Sequence, residues 1–472
     1  MPRGRLVLAL LLLLLLAGRF ALLTTAGYPP DIGQFKLWAL QAEQDGLVAL
    51  YAGGADHDFS RFDYPPLYAY VLRAIGWVYS FVEPDALRRQ ADSTLLTVLV
   101  KLPALLGDVA VALLLAAIAR RAAAGEEAAV ARRTAVRVAA AWLLNPAVLL
   151  DSGHWGQPDS IHSGFMLAAF ATIGGALGPA RGTRRSAALA WAWLALAALM
   201  KPLGAPFFPL LLAVTLLTGG VAAAACGALA ATAVAAVLFA PFVAEWGVAV
   251  MVQRLLGDVT IMAYTSVNGH NLWWLFGPWR DAEVALVGPL TATHLGLLAF
   301  AVALLAVIVL AVRRHRGRHA GLHASQTLAL AALLAAAFFL LSTHLHENHL
   351  YGALPLLLGA IAAAPPLNSA RPFAWLLFVG LSLGVAWNVA AHDHAWRQCW
   401  PLASGADAPY VGDAPAQQLP RGEWLAGTIG TWWNLAVGAA LAVFCCGAAL
   451  QRLPWRRETT PPSPGDAGRG RL

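Results

Sequence analysis

Charge is scarce in this chain: Asp, Glu, Lys and Arg make up 12% of 472 residues, against 59% hydrophobic ones, and mean hydropathy is +0.64. A soluble domain exposes only modest contiguous apolar patches. It could not cover this much apolar surface, so an integral membrane protein follows. The apolar runs also lack period-2 alternation, which argues against a barrel. Backbone in hydrocarbon must then satisfy its own hydrogen bonds as helix. Cysteine is sparse too. Of the four, Cys226, Cys445 and Cys446 fall in apolar runs and Cys399 has no evident partner outside, so no disulfide framework is expected. The net charge of +7 and pI of about 9.5 do not imply nucleic acid, because the excess falls where positive-inside bias places it.

Apolar stretches long enough to span recur along the chain, a span needing roughly 20 residues. They lie near 6–25, 95–119, 137–150, 160–178, 186–200, 203–218, 221–243, 289–312, 326–342, 349–364, 373–390 and 427–450. The expected fold is therefore all-α, a polytopic membrane protein of about 12 transmembrane helices. The leucine run within residues 1–26 has the look of a signal peptide as well as of a first span, and without a clean Ala-x-Ala site an uncleaved first helix is expected, followed over 27–94 by a long outer loop with interfacial helices over 34–50 and 67–82. Helices two to seven occupy 95–243. Outer loop 244–288, helices over 289–390, outer loop 391–426 and a last helix over 427–451 follow, and 452–472 is a disordered cytoplasmic tail. Arginine clusters fix the orientation: Arg120, Arg121, Arg132, Arg133 and Arg137, then Arg181, Arg184 and Arg185, then Arg313, Arg314, Arg316 and Arg318 mark cytoplasmic connections. Within the second span, Lys101 and Asp108 lie on one helical face, and a structural pair is expected.

The polar residues that remain gather on the outer side. The first loop opens on Tyr28-Pro29-Pro30-Asp31 and closes on Asp63-Tyr64-Pro65-Pro66. Asp31, framed by aromatics and prolines, is the candidate catalytic base. The first of four motifs beyond this loop packs Asp151, His154, Trp155, Gln157 and Asp159 into one tight connection after Asn145-Pro146; the plain alternative is a polar turn between helices. Lys201, before Pro202, is either a snorkelling cation or one that grips a lipid phosphate. Asn268, His270, Asn271 and Trp274 are either an interfacial anchor or a sugar-binding set. The fourth motif, Thr343 to His349, contains His346 and Glu347. Its spacing lacks the two His at i and i+4 that flank a zincin's Glu, so phosphate-binding histidines oriented by Glu347 are favoured and no metal ligands are assigned.

Together these motifs resemble the GT-C glycosyltransferases that take sugar from a polyprenyl-phosphate carrier, in particular the dolichyl-phosphate-glucose-dependent glucosyltransferases of N-glycan precursor assembly and bacterial mannosyltransferase-like relatives. The pieces that carry the resemblance are Asp31, Asp63-Tyr64-Pro65-Pro66-Leu67, the run from Asn145-Pro146 to His154-Trp155, Lys201 before its turn, and His346-Glu347. The resemblance implies that Asp31 is the general base and that His346 and Lys201 help hold the donor phosphate. Trp155-Gly156-Gln157 and His346-Glu347-Asn348 depart from the glucosyltransferase pattern, which leaves the hexose open. The other polar residues of the four motifs and Asp63 and Tyr64 are expected to contact substrate.

The chemistry stands independently of the family. A lipid phosphate departs as an anion without an acid, whereas an acceptor hydroxyl must lose its proton, and a positioned carboxylate accelerates that about 10²–10⁴-fold. One base thus suffices for an inverting transfer, cations stabilise the leaving phosphate, and no cofactor is required, although a divalent metal is compatible. The partners implied are a polyprenyl-phosphate sugar donor, a lipid-linked or glycolipid acceptor and the bilayer, in a multi-pass protein of a bacterial plasma membrane with its active face outward. Two other classes compete. A twelve-helix secondary transporter would show related halves, and a metal-dependent protein glycosyltransferase of the same fold would need a second acid beside Asp31, for which Asp63, Asp151 and Asp159 are available.

Overall fold

The computed structural model describes residues 17–52, 62–85, 93–258, 262–317, 322–365, 370–403 and 421–450. Most of the first helix expected over 1–26, the tail 452–472, Arg318 and the Cys399 side chain lie outside the described residues; 17–23 are helical. The chain then forms α1 (Pro29–Gln44), α2 (Pro66–Val82), α3 (Thr94–Ala122), α4 (Ala128–Leu143), α5 (Asp159–Ile173) and α6 (Arg184–Met200). α7 (Phe208–Asp258) is interrupted where Gly220 and Gly247 leave helical geometry. α8 (Ala292–Arg316), α9 (Ala324–Leu341), α10 (Ala353–Ala363), α11 (Arg371–Ala403) and α12 (Arg421–Leu450) complete the helices. A small antiparallel hairpin, β1 (Ala285–Val287) and β2 (Leu290–Thr291), sits before α8.

The described structure is mostly helical, as expected. Among the described residues, which leave out most of the expected span 6–25, six helical stretches are long and apolar enough to cross a membrane, and a seventh results if α4 and Pro146–Trp155, bent by 46°, count as one. The difference from the expected twelve has local causes. The expected spans at 203–218 and 221–243 run within one helical stretch broken at Gly220. α5, α6 and α10 have 15, 17 and 11 residues, short for a span but lying inside the bundle, where protein replaces lipid around them. Helix also continues into two stretches expected as outer loops: α7 runs on to 258 and α11 to 403.

The first loop has its own apolar core. α1 starts on Pro29-Pro30, whose fixed φ suits the first turn, and carries Asp31 where the helix dipole favours an acid. Phe35 meets Tyr64 and Tyr68, and Trp38 meets Phe62 and Tyr64, edge to face with ring centroids 5.2–6.1 Å apart. The α1–α2 crossing is so close that a Cβ on Gly76 would meet Ala39 O at 2.2 Å. This core reaches Leu96 and Val100 of α3, Met200 of α6 and Phe242 of α7, so α1 is fixed against the bundle. On α2, Trp77 and Phe81 stack and stay exposed.

The expected Lys101–Asp108 pair does not form. Buried Asp108 binds the guanidinium of Arg19, which also donates to Leu143 O at 2.6 Å. The Lys101 ammonium instead donates to Leu22 O, Thr25 O and the Thr25 hydroxyl at 3.2, 2.8 and 3.0 Å. Seven residues put both side chains on one face about 10 Å apart along the axis, too far for contact, and the incoming first helix supplies each with a nearer partner.

Candidate functional site

The site begins where α4 ends. Asn145 caps the next turn by accepting from Ala147 N at 2.9 Å, and Pro146 starts it. The chain then widens into a π-helical turn over Leu149–Trp155, a form frequent at functional sites. Gly156 ends the turn in the left-handed region, φ 88°, and both Gly156 N and Gln157 N donate to Asp151 O. A Cβ on Gly156 would meet Ile32 Cδ1 at 2.7 Å and Lys101 Cγ at 2.8 Å. This reversal brings Trp155 and Gln157 onto half-buried Asp31: Trp155 Nε1 donates to Asp31 Oδ2 at 2.7 Å, and Gln157 Nε2 donates to the same oxygen. The Tyr64 hydroxyl donates to Gln157 Oε1 at 3.2 Å.

A second group adjoins the first. Buried Asp159, at the start of α5, accepts from Lys201 Nζ at 2.8 Å and from Asn348 Nδ2 at 2.7 Å. Lys201 lies where α6 gives way to an extended residue before Pro202. Glu347 is 5% exposed, and burial pushes its carboxyl up to about 8, with Asp31 and Asp159 adding to the rise and Lys201 opposing it. Burial, then Lys201 and two neighbouring histidines, pushes His346 down to about 3, so its imidazole is neutral near pH 7. Burial likewise holds the Asp31 carboxyl above the usual carboxylate range, while the Trp155 and Gln157 donors and the Lys201 ammonium pull the other way. Asp151 is fully buried near Asp159 and Lys201, and neither carboxyl oxygen has a hydrogen-bond partner among the described residues.

Thus Asp31, Tyr64, Trp155, Gln157, Asp159, Lys201, His346 and Glu347 come together from five separated segments. Asp63 is exposed beside Tyr64. His154 turns elsewhere, to Thr25 at 3.3 Å and Asp393 at 3.5 Å. The 266–274 segment is bridged to His346 through Val267 and Asn268. Its polar groups serve packing: Asn271 caps Trp273 N and donates to Ser342 O, Trp274 Nε1 donates to Trp424 O at 3.4 Å, and buried His270 is held through its backbone by Asn388 and Asn434. Among the described residues no three His, Cys, Asp or Glu side chains are grouped to hold a metal ion.

Sequence reasoning did not single out Tyr28, His392 or Asn348 as site residues. Tyr28 and His392 are hydrogen-bonded at 2.9 Å, and both pack on Trp155, with centroids 4.3 and 5.7 Å away. His392 had no local signal, since it lies 237 residues from Trp155 in a segment read as loop. Asn348 stood inside a recognised motif, but its partner Asp159 is 189 residues away.

Residues 56–257, rather less than half of the chain, match the family model described as the ALG6, ALG8 glycosyltransferase family. The matched segment includes Tyr64, the π-helical turn, Asp159 and Lys201; Asp31 and the 343–349 motif lie outside it. Over that segment the chain is similar to a glycosyltransferase family, in agreement with its motifs. Comparison with curated proteins finds no match.

Proposed function

We propose that this chain is a membrane glycosyltransferase that moves a hexose from a polyprenyl-phosphate donor to a hydroxyl on a lipid-linked or glycolipid acceptor, with inversion and with Asp31 as general base. The observation that carries the reading is the convergence of a half-buried carboxylate, a buried lysine and a neutral histidine on one cluster. The acceptor O–H attacks the anomeric carbon, its proton passes to Asp31, and the bond from that carbon to the phosphate oxygen breaks with its electron pair leaving on the phosphate. Lys201, which retains two N–H donors beyond the one given to Asp159, and His346, as a neutral N–H donor, hold that phosphate. Asp63 and Asn268, neither of them fully buried, belong to the surrounding sugar-contacting shell. The short helices α5, α6 and α10 complete about twelve crossings within the bundle, in a bacterial plasma membrane with the cluster facing outward.

The test is transfer by purified protein in proteoliposomes against a panel of polyprenyl-phosphate sugars, with anomeric configuration read by NMR. A product of inverted configuration from a monophosphate donor, formed in chelator, supports the reading. Transfer that stops in chelator points instead to a metal-dependent transferase, and solute uptake without transfer to a transporter.

A further inference from the structure

We propose that Trp155 and Gln157 are positioning residues that hold the Asp31 carboxylate by its Oδ2 and so present Oδ1 to the acceptor hydroxyl. The inference rests on Asp31 acting as the base and goes further, since the sequence motif alone marks both side chains as substrate contacts. Each gives an N–H to the same oxygen, the indole at 2.7 Å. Among the described residues Oδ1 has no hydrogen-bond partner. A carboxylate oxygen that accepts two N–H bonds has both lone pairs engaged. The proton of the incoming hydroxyl therefore goes to Oδ1.

Each donor is itself held. Tyr64 gives its hydroxyl hydrogen to Gln157 Oε1, which obliges the amide to turn its NH₂ towards Asp31. The Trp155 indole rests against Tyr28 and His392, which are bonded to one another, and Asn268 Nδ2 approaches His392 Nε2 at 3.3 Å. Gly156 between the two donors supplies the left-handed residue that aims both at one atom. The chain thus closes a base-orienting network from the first loop, the π-helical turn and α11. In the transfer step the acceptor O–H bond breaks to Oδ1, the new glycosidic bond forms, and the phosphate carries away the electron pair of the old one. Oδ2 keeps its two donors throughout.

The network has a signature that packing alone would not give. N–H donors to a carboxylate favour its ionised, basic form, so removing one raises the pH at which Asp31 becomes competent. The other charged or titratable groups facing Asp31 are Lys201 and Asp159 from α6 and α5, Glu347 from the 343–349 segment, and the phenols Tyr64 and Tyr68. All remain in Trp155→Phe and Gln157→Leu, and Tyr64→Phe removes only the Tyr64 hydroxyl. The experiment measures kcat/KM against pH for transfer from polyprenyl-phosphate glucose or mannose, whichever the wild type accepts, in Trp155→Phe, Gln157→Leu, Tyr64→Phe and Asp31→Asn. Trp155→Phe keeps the ring stack and lacks only the N–H. The acid limb should move up by about one pH unit in Trp155→Phe and Gln157→Leu and by less in Tyr64→Phe, with donor KM unchanged. A raised donor KM with an unmoved acid limb would make both residues substrate contacts and overturn the proposal, and so would a lower kcat with an unmoved limb. Full transfer by Asp31→Asn would remove the base itself, a failure distinct from an inactive Asp31→Asn beside unshifted Trp155 and Gln157 variants.

Discussion

Lys201 and Asp159 are both buried, and their N–O distance is 2.8 Å. Taking away one partner of a buried ion pair strands the other, at about 3–5 kcal/mol. Asp159→Ala is therefore expected to lower the Tm of detergent-purified protein markedly. The double variant Asp159→Leu with Lys201→Met should recover much of that Tm, because no charge is left stranded, yet stay about 10²-fold or more below wild type in transfer, because the phosphate has lost its cation. Equal recovery of stability and transfer would make the pair structural only. Glu347 gives a pH-dependent counterpart. Its folded carboxyl titrates at about 8 against an ordinary 4.5, so the folded state holds more protons than the unfolded one between those values. Its contribution to stability is fully present below about 4.5 and is lost as pH rises to about 8, at up to roughly 1.4 kcal/mol per pH unit. Unfolding of Glu347→Gln followed between pH 5 and 8 should lack that slope, and identical slopes in variant and wild type would refute the assignment.

Among the elements, the reversal after the π-helical turn decides whether the Asp31 carboxylate is held. Gly156 has φ 88° and no room for a Cβ beside Ile32 and Lys101. Gly156→Ala should therefore push Trp155 and Gln157 away from α1 and reduce transfer about ten-fold or more, since small misplacements at a reacting group are costly. Membrane insertion should be unchanged, and wild-type turnover would show that the turn does not position Asp31. This is also the scale at which the sequence was most and least legible. The helix expected over 67–82 forms as Pro66–Val82 and the expected break at Pro146 is present, whereas the helix expected over 34–50 starts earlier, over Pro29–Gln44, because the proline pair suits a first turn. Trp155 and Gln157 were visible as polar residues in an apolar chain, but their partner Asp31 is more than 120 residues away, and no local period carries such a contact. Lys101 and Asp108 misled for the same reason: their shared face was correct, but each found a partner on the first helix.

For the whole molecule, composition was enough to give a helical membrane protein, because hydropathy is additive along a chain. The number of crossings was not, because α5, α6 and α10 are short helices inside protein and length is then no longer set by the bilayer. Orientation rests on the arginine clusters and can be checked directly. In a background with the four native cysteines replaced by serine, Ala285→Cys in the exposed hairpin should react with a membrane-impermeant maleimide in intact cells. Arg185→Cys, exposed at the start of α6, should react only after permeabilisation. The opposite pattern would turn the cluster to the cytoplasm.

The central claim is that one carboxylate on α1 takes the acceptor's proton. Its most direct measurement compares wild type with Asp31→Asn in proteoliposomes, following both binding of a polyprenyl-phosphate hexose and its transfer to acceptor. Donor binding should be unchanged and transfer lowered by about 10²–10⁴-fold. Undiminished transfer by Asp31→Asn would contradict it.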